Sequence, residues 1–242
     1  MYVRCFKCPL RVQRAFTPKT EEEVAVIDRL KSDHLRIPAG SDFINPEQAD
    51  AELYTVFSGW AFRFKELDDG RRQILNFALP GDLIGLQASL LDKSLYGAVA
   101  LTDVELCVIP RRKLYSLFKS APEVAYDVTW LGSQEHAIVD DNLLTAGRRN
   151  AAERICALIA ALYRRAETLD MVSNGVLDFP LTQQHIADAL GLSLVHTNKT
   201  IARLKAQGLF SLSDGKLSLV NPRAVGRLAQ HFEKDPAPRP IL

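Results

Sequence analysis

The chain has no apolar run close to the roughly 20 consecutive residues a membrane helix needs. Its opening stretch, MYVRCFKCPLRVQR, is basic with no apolar segment behind it, so it does not read as a secretory leader. Four cysteines (Cys5, Cys8, Cys107 and Cys156) are too few to form the disulfide framework of a small secreted domain. Catalytic signatures are missing too: there is no phosphate-cradling glycine loop, no H-E-x-x-H and no G-x-S-x-G. Cys5-x-x-Cys8 precedes an all-β region rather than opening a helix beside a βαβ unit, which argues against a thiol oxidoreductase. These absences predict a cytoplasmic protein that is neither membrane-bound nor an enzyme.

Charge of one sign is also scarce overall, at +1 for 242 residues, but it is unevenly spread. Residues 1–144 hold 17 Lys and Arg against 21 Asp and Glu, while residues 145–242 hold 13 against 8. An acidic body with a basic C-terminal part is the balance expected of a sensor carrying a nucleic-acid-binding module.

From about Phe43 to Pro110 the text alternates as short strands (LYTVFSG, WAFRFKEL, RRQILNFAL, GAVAL, VELCVIP), broken by Asp68-Asp69-Gly70 and Pro80-Gly81-Asp82. This predicts a small barrel or jelly roll. Ahead of it, Thr20 to Leu30 reads as a helix, with Thr20 capping and Glu23 completing the box. Past Pro110 the period changes. Residues 122–145 predict one long helix whose seams are Val124, Leu131, Ile138 and Thr145, and Val128, Glu135 and Asn142. An open stripe of this kind either zips to a second copy in a parallel homodimer or packs on its own barrel. The dimer is the preferred expectation. Asn150 to Thr168 predicts a further helix, with Ile155, Leu158, Ile159 and Leu162 on one face and Cys156 as a small core residue.

Leu181 to Val220 carries the most specific pattern. Thr182 caps a helix with apolar Ile186, Ala187 and Leu190, and Gly191-Leu192-Ser193 makes a tight turn. Ser193 caps a second helix, and FSLSDGKLSLV then folds as two strands about Asp214-Gly215. Helix, short glycine turn, helix and hairpin together make a winged helix-turn-helix. With Thr197, Ile201 and Leu204 turned inward, Val195, Asn198 and Lys199 face outward. They offer a thymine-methyl contact, an adenine pair and a guanine pair. Thr182, His196, Thr200 and Arg203 flank that face and are expected at phosphates, with a solvated surface histidine the other reading of His196.

The segments FSGWAFRFKEL, LPGDLIGLQASLL, VELCVIPRRKL, AAERICALIAALYRR and the helix-turn-helix itself resemble the Crp/Fnr superfamily over essentially the whole chain. The resemblance implies an α+β fold: a cyclic-nucleotide-binding-like sensor over 1–120, a dimerisation helix over 121–146 and a winged helix-turn-helix over 147–233; the tail over 234–242 reads from its own sequence as disordered. It further implies a homodimer on a two-fold-related double-stranded DNA site with half-sites about one helical turn apart. If the protein is an activator, RNA polymerase is the expected partner. The other functional reading is an effector-binding module whose winged helix docks on a protein.

Family members that bind cyclic nucleotides carry Glu soon after the GDLIG-like turn and an Arg-Ser/Thr-Ala motif later. Here Leu86-Gln87 and Tyr96-Gly97-Ala98 stand at those places, which sets cyclic AMP aside, because a buried phosphate needs a cation. The oxygen-sensing branch holds an iron–sulfur cluster on C-x2-C-x5-C plus a cysteine before Ile-Pro. Cys5, Cys8 and Cys107 match three of those positions, while Arg14 stands at the remaining one. A cluster, a reversible thiol switch, another small-molecule signal and inert cysteines all stay open. A zinc site falls short of ligands. Val195, Asn198 and Lys199 replace the Glu, Ser or Gly, and Arg of well-known members, so the operator should differ from theirs.

Overall fold

The computed structural model describes residues 3–91, 93–230 and 237–242. The chain forms two compact units. One takes Met1–Lys65, Asn76–Ala137 and Pro238–Leu242, and the other Glu66–Leu75 and Ile138–Ala237.

In the first unit two 3₁₀ turns, Cys5–Lys7 and Pro9–Val12, lead to helix α1, Glu21–Leu30. Thr20 and Glu23 close the capping box, and three glutamates meet the positive end of the helix dipole. The barrel follows as β1 (Asp33–Ile37), β2 (Asp42–Ile44), β3 (Leu53–Ser58), β4 (Ala61–Glu66), β5 (Arg72–Ala78), β6 (Leu83–Ile84), β7 (Gly97–Ala100) and β8 (Val104–Ile109). Short helix α2, Leu86–Leu90, lies between β6 and β7. Two four-stranded sheets result, ordered β1-β8-β3-β6 and β2-β7-β4-β5. Strand β1, paired antiparallel with β8 so that His34 faces Cys107, begins ten residues ahead of the region that reads as strands in the sequence.

Helix α3, Leu114–Ser120, and the 27-residue helix α4, Pro122–Arg148, follow. Here the structure corrects the sequence reading. Val124, Val128 and Leu131 do not form an open seam; they are buried in the first unit's own core with Val24, Ile27 and Leu117. Glu135 pairs with Arg63 of β4, and Asn142 donates to the Leu75 carbonyl at 2.8 Å. Ile138 is partly buried and Thr145 buried, the latter donating to the Asp141 carbonyl at 2.7 Å. The outward apolar residues of α4 are Tyr126, Val139, Leu143 and Leu144.

The second unit contains α5 (Ala151–Thr168), β9 (Val172–Ser173), β10 (Val176–Asp178), α6 (Gln183–Leu190), α7 (Leu194–Ala206), β11 (Phe210–Ser213), β12 (Lys216–Leu219) and α8 (Pro222–Ala229). Its sheet runs β11-β12-β10-β9. Ile155, Cys156, Ile159 and Leu162 on the inner face of α5 are buried, with α8 and α7 packed against that helix.

The disordered tail is a second correction. Residues 234–236 lie outside the described residues, but Pro238–Leu242 belongs to the first unit, with Leu242 only 2% exposed. Arg239 forms an isolated parallel bridge with Phe16 and an ion pair with Asp82 at 2.7 Å. It also donates to the Gly81 and Pro80 carbonyls. Gly81 is required there: at φ 86° a side chain is strained, and a Cβ would lie 2.2 Å from the Phe16 ring. A proline-bracketed sequence reads as disordered because its partners are more than 150 residues away in the chain.

Candidate nucleic-acid interface and thiol site

The Thr182 hydroxyl accepts from the His185 amide at 3.1 Å, and His185 Nδ1 accepts from the Thr182 amide in return, fixing the start of α6. Gly191 stops that helix in the left-handed region at φ 62°, and the Ser193 hydroxyl accepts from the His196 amide to start α7. Inside, Ile186, Ala187 and Leu190 of α6 and Thr197, Ile201 and Leu204 of α7 are buried. Outside, α7 shows Val195, 64% exposed, with His196, Lys199, Ala202 and Arg203 all exposed. The helix contains Lys199, Arg203 and Lys205 and no acidic residue.

Two residues differ from expectation. Thr200 is 3% exposed and cannot reach a phosphate; three residues from Thr197 and four from Leu204, it shares their inward face. Asn198 is only partly exposed, and its Oδ1 is buried with no hydrogen-bond partner. The wing closes through Asp214 and Gly215, at φ 51° and 69°, the pattern of a type I′ hairpin turn. Lys205 donates to the Leu212 carbonyl at 2.7 Å and so ties α7 to the wing. At α6, Asp188 takes two hydrogen bonds from the Arg72 guanidinium, at 3.0 and 3.2 Å.

In the first unit the structure assembles a group that spans the chain. Cys5, Cys8, Lys31, Ile241 and Leu242 all line one cavity of ≈ 20 Å³, room for about one water. Cys107 Sγ stands 3.1 Å from His34 Nε2. Lys31 is 8% exposed; burial disfavours its charge, and Cys107, Cys5 and Cys8 act the other way and hold its ammonium above the usual lysine value. Burial pushes the Cys5 thiol up to about 11, against the pull of the Lys31 charge. Cys107 rises for the same reason. His34 is held below the usual imidazole value by burial and by Lys31. Sequence reasoning found the cysteines but missed Lys31 and His34; strand pairing of His34 with Cys107 is the only signal for the latter.

These residues do not fit an iron–sulfur cluster. Cys5, Cys8 and Cys107 supply three thiols where a cubane cluster takes four ligands, and Arg14 stands at the position of the fourth. Among the described residues no group of three or more His, Cys, Asp or Glu is arranged to hold a metal ion.

The barrel's own buried cation is Arg63, missed in the sequence. Its guanidinium lies 4.8 Å over the Tyr96 ring and pairs with Glu135, while Tyr96 accepts the Gly85 amide at 2.9 Å. A carboxylate from α4 therefore already answers the charge that a cyclic phosphate would need.

Two family models match the chain: the cyclic nucleotide-binding domain over residues 34–121 and the Crp-like helix-turn-helix domain over residues 153–228. Among similar proteins, the nitrogen fixation regulation protein FixK of Bradyrhizobium diazoefficiens is 28% identical over 93% of both chains. FixK of Azorhizobium caulinodans is 30% identical over 77% of this chain and 75% of its own. The solved structure of FixK2 from Bradyrhizobium japonicum aligns with a TM-score of 0.74 at 26% identity, over 81% of this chain and 96% of that one. No described helix is long and apolar enough to cross a membrane. With a cyclic-nucleotide-binding-like sheet domain, a long helix and a Crp-like helix-turn-helix in that order, the chain belongs to the Crp/Fnr family of transcription regulators, which are DNA-binding proteins and not enzymes.

Proposed function

We propose that the protein acts in the cytoplasm as a homodimer that reads two DNA half-sites with α7 and couples that reading to a redox, oxygen or small-molecule signal. The observation that carries this is the outer face of α7: exposed, cationic, without an acid, and set beside a hairpin wing. Val195, Asn198 and Lys199 meet base edges; Thr182, His196 and Arg203 meet phosphates. The copies join through the outward side of α4, around Tyr126, Leu143 and Leu144, because the inner stripe is already covered. RNA polymerase is the further partner if the protein activates. The expected result is specific binding of a palindromic duplex whose affinity falls linearly in log–log terms with salt, followed by fluorescence anisotropy. A winged helix used for protein docking would show no such slope, and that result would sink the DNA reading.

A further inference from the structure

Cys5 and Cys8 are placed for a reaction with each other. The Cys8 amide donates to the Cys5 carbonyl at 3.2 Å, closing an i→i+3 turn. Such a turn holds its end Cα atoms within about 7 Å, and disulfides span Cα separations of roughly 4.4–6.8 Å. Both cysteines line the same water-sized cavity. They differ in access. Cys5 is buried, whereas Cys8 is partly exposed and also lines a second, larger cavity of ≈ 200 Å³ with Arg11, Lys19 and Ile241.

We propose that Cys5 and Cys8 form a reversible disulfide on exposure to a small peroxide, and that this bond unseats the segment Pro238–Leu242. Hydrogen peroxide reaches the partly exposed Cys8 through the larger cavity. The Cys8 sulfur attacks the O–O bond and becomes a sulfenic acid, and one water leaves. The Cys5 sulfur then attacks the Cys8 sulfur, the S–S bond forms, and a second water carries away the remaining oxygen. Two thiols lose two electrons and two protons; one peroxide is reduced to two waters. Lys31 lines the same cavity as both cysteines, and its charge favours the Cys5 thiolate that attacks the sulfenic acid. Cys5 is buried and Cys8 partly exposed, so peroxide meets Cys8 first and Cys5 resolves the sulfenic acid.

The link to the C-terminal segment is steric. Cys5 shares its apolar cluster with Leu242, Val24 and Ile27, and Leu242 and Ile241 line the same cavity as the two cysteines. Drawing the Cys5 sulfur toward Cys8 takes it out of that cluster and fills the cavity. Leu242 then loses a packing partner. The backbone bonds that hold the segment, Arg239 amide to Ala15 carbonyl at 3.0 Å and Thr17 amide to Arg239 carbonyl at 2.9 Å, are the reporters of its seating.

The reaction requires no DNA and is read without it. Full-length reduced protein is treated with hydrogen peroxide, alkylated and digested with trypsin, while hydrogen exchange follows the Arg239 amide in parallel. The expected result is Cys5–Lys7 joined to Cys8–Arg11, reversed by dithiothreitol, with the Arg239 amide exchanging at least about tenfold faster in the oxidised form. Cys8→Ser should abolish both changes and Cys107→Ser neither. A bridge from Cys8 to Cys107, Cys8 oxidised with Cys5 still free, or an unchanged Arg239 amide in the bridged protein would each overturn the proposal. So would iron and sulfide bound to Cys5 and Cys8 in anaerobically purified protein.

Discussion

Asn198 and Lys199 are neighbours on α7 but face different costs. Lys199 is solvated in the free protein and loses its water only on meeting a base, whereas the Asn198 carbonyl oxygen is already buried without a partner. An unsatisfied buried acceptor costs about 1–3 kcal/mol. Asn198→Ala is therefore expected to leave the melting temperature unchanged or raise it, yet weaken specific DNA binding; calorimetry and anisotropy on the same sample separate the two effects. Lys199→Ala should cost about 1–3 kcal/mol of specific affinity and relax preference at one base pair. Asp28 provides a pH test. Burial alone would raise its carboxyl, but the Cys5 amide at 2.8 Å and the Arg4 guanidinium at 2.6 Å outweigh that and hold it below the usual carboxylate range. A depressed carboxylate stabilises the folded state fully above its unfolded value, and that stabilisation is lost as the pH falls through the lower folded value. Protection of the Cys5 amide should accordingly persist at neutral pH and disappear on acidification below the ordinary carboxylate range. Asp28→Ala, which removes the acceptor, should lose it at all pH values.

Among the elements, α4 is where pattern and outcome part. Its seven-residue spacing is genuine, and Val124, Val128 and Leu131 are buried, but an apolar stripe says only that something covers it. The cover is this chain's own α1, α3 and barrel, all of which lie outside the 24 residues that carry the stripe. Val128→Ala is thus expected to destabilise the fold by about 2 kcal/mol while leaving the dimer constant alone, measured by urea unfolding and sedimentation. Leu143→Glu with Leu144→Glu should do the reverse, since Leu143 is 72% exposed. The helix-turn-helix was far more legible, because each of its boundaries is set locally by Thr182, Gly191, Ser193 and Asp214-Gly215. Strands β9 and β10 escaped notice at two and three residues, although Asn174-Gly175, at φ 51° and 73°, is a strong hairpin signal. The place of Thr200 was lost to a narrow margin, since an inward arc of three residues widened to four.

For the molecule as a whole, order and type of domain followed from the alternation of strand-like and helical text, but the closure of the first unit did not. That unit is discontinuous: its last five residues come after the entire second unit in sequence. Arg239 is the anchor, its pair with Asp82 being nearly shielded from solvent on both sides. Removing one partner of a buried pair typically costs about 3–5 kcal/mol, so Arg239→Ala should lower the stability of the first unit by an amount near the lower end of that range. Hydrogen exchange is the suitable measurement. It reports the Ala15–Thr17 and α1 amides separately from those of α5 and α7, where no change is expected.

The late return of Pro238–Leu242 also has a consequence for synthesis. Residues up to 137 leave the ribosome before the segment that covers Cys5, Val24 and Ile27 exists. At about 5–20 residues per second the intervening hundred residues take roughly 5–20 seconds to translate. During that interval the nascent first unit carries an uncovered apolar groove lined by Cys5 and Cys8, and a ribosome stalled within the second unit would hold it in that state.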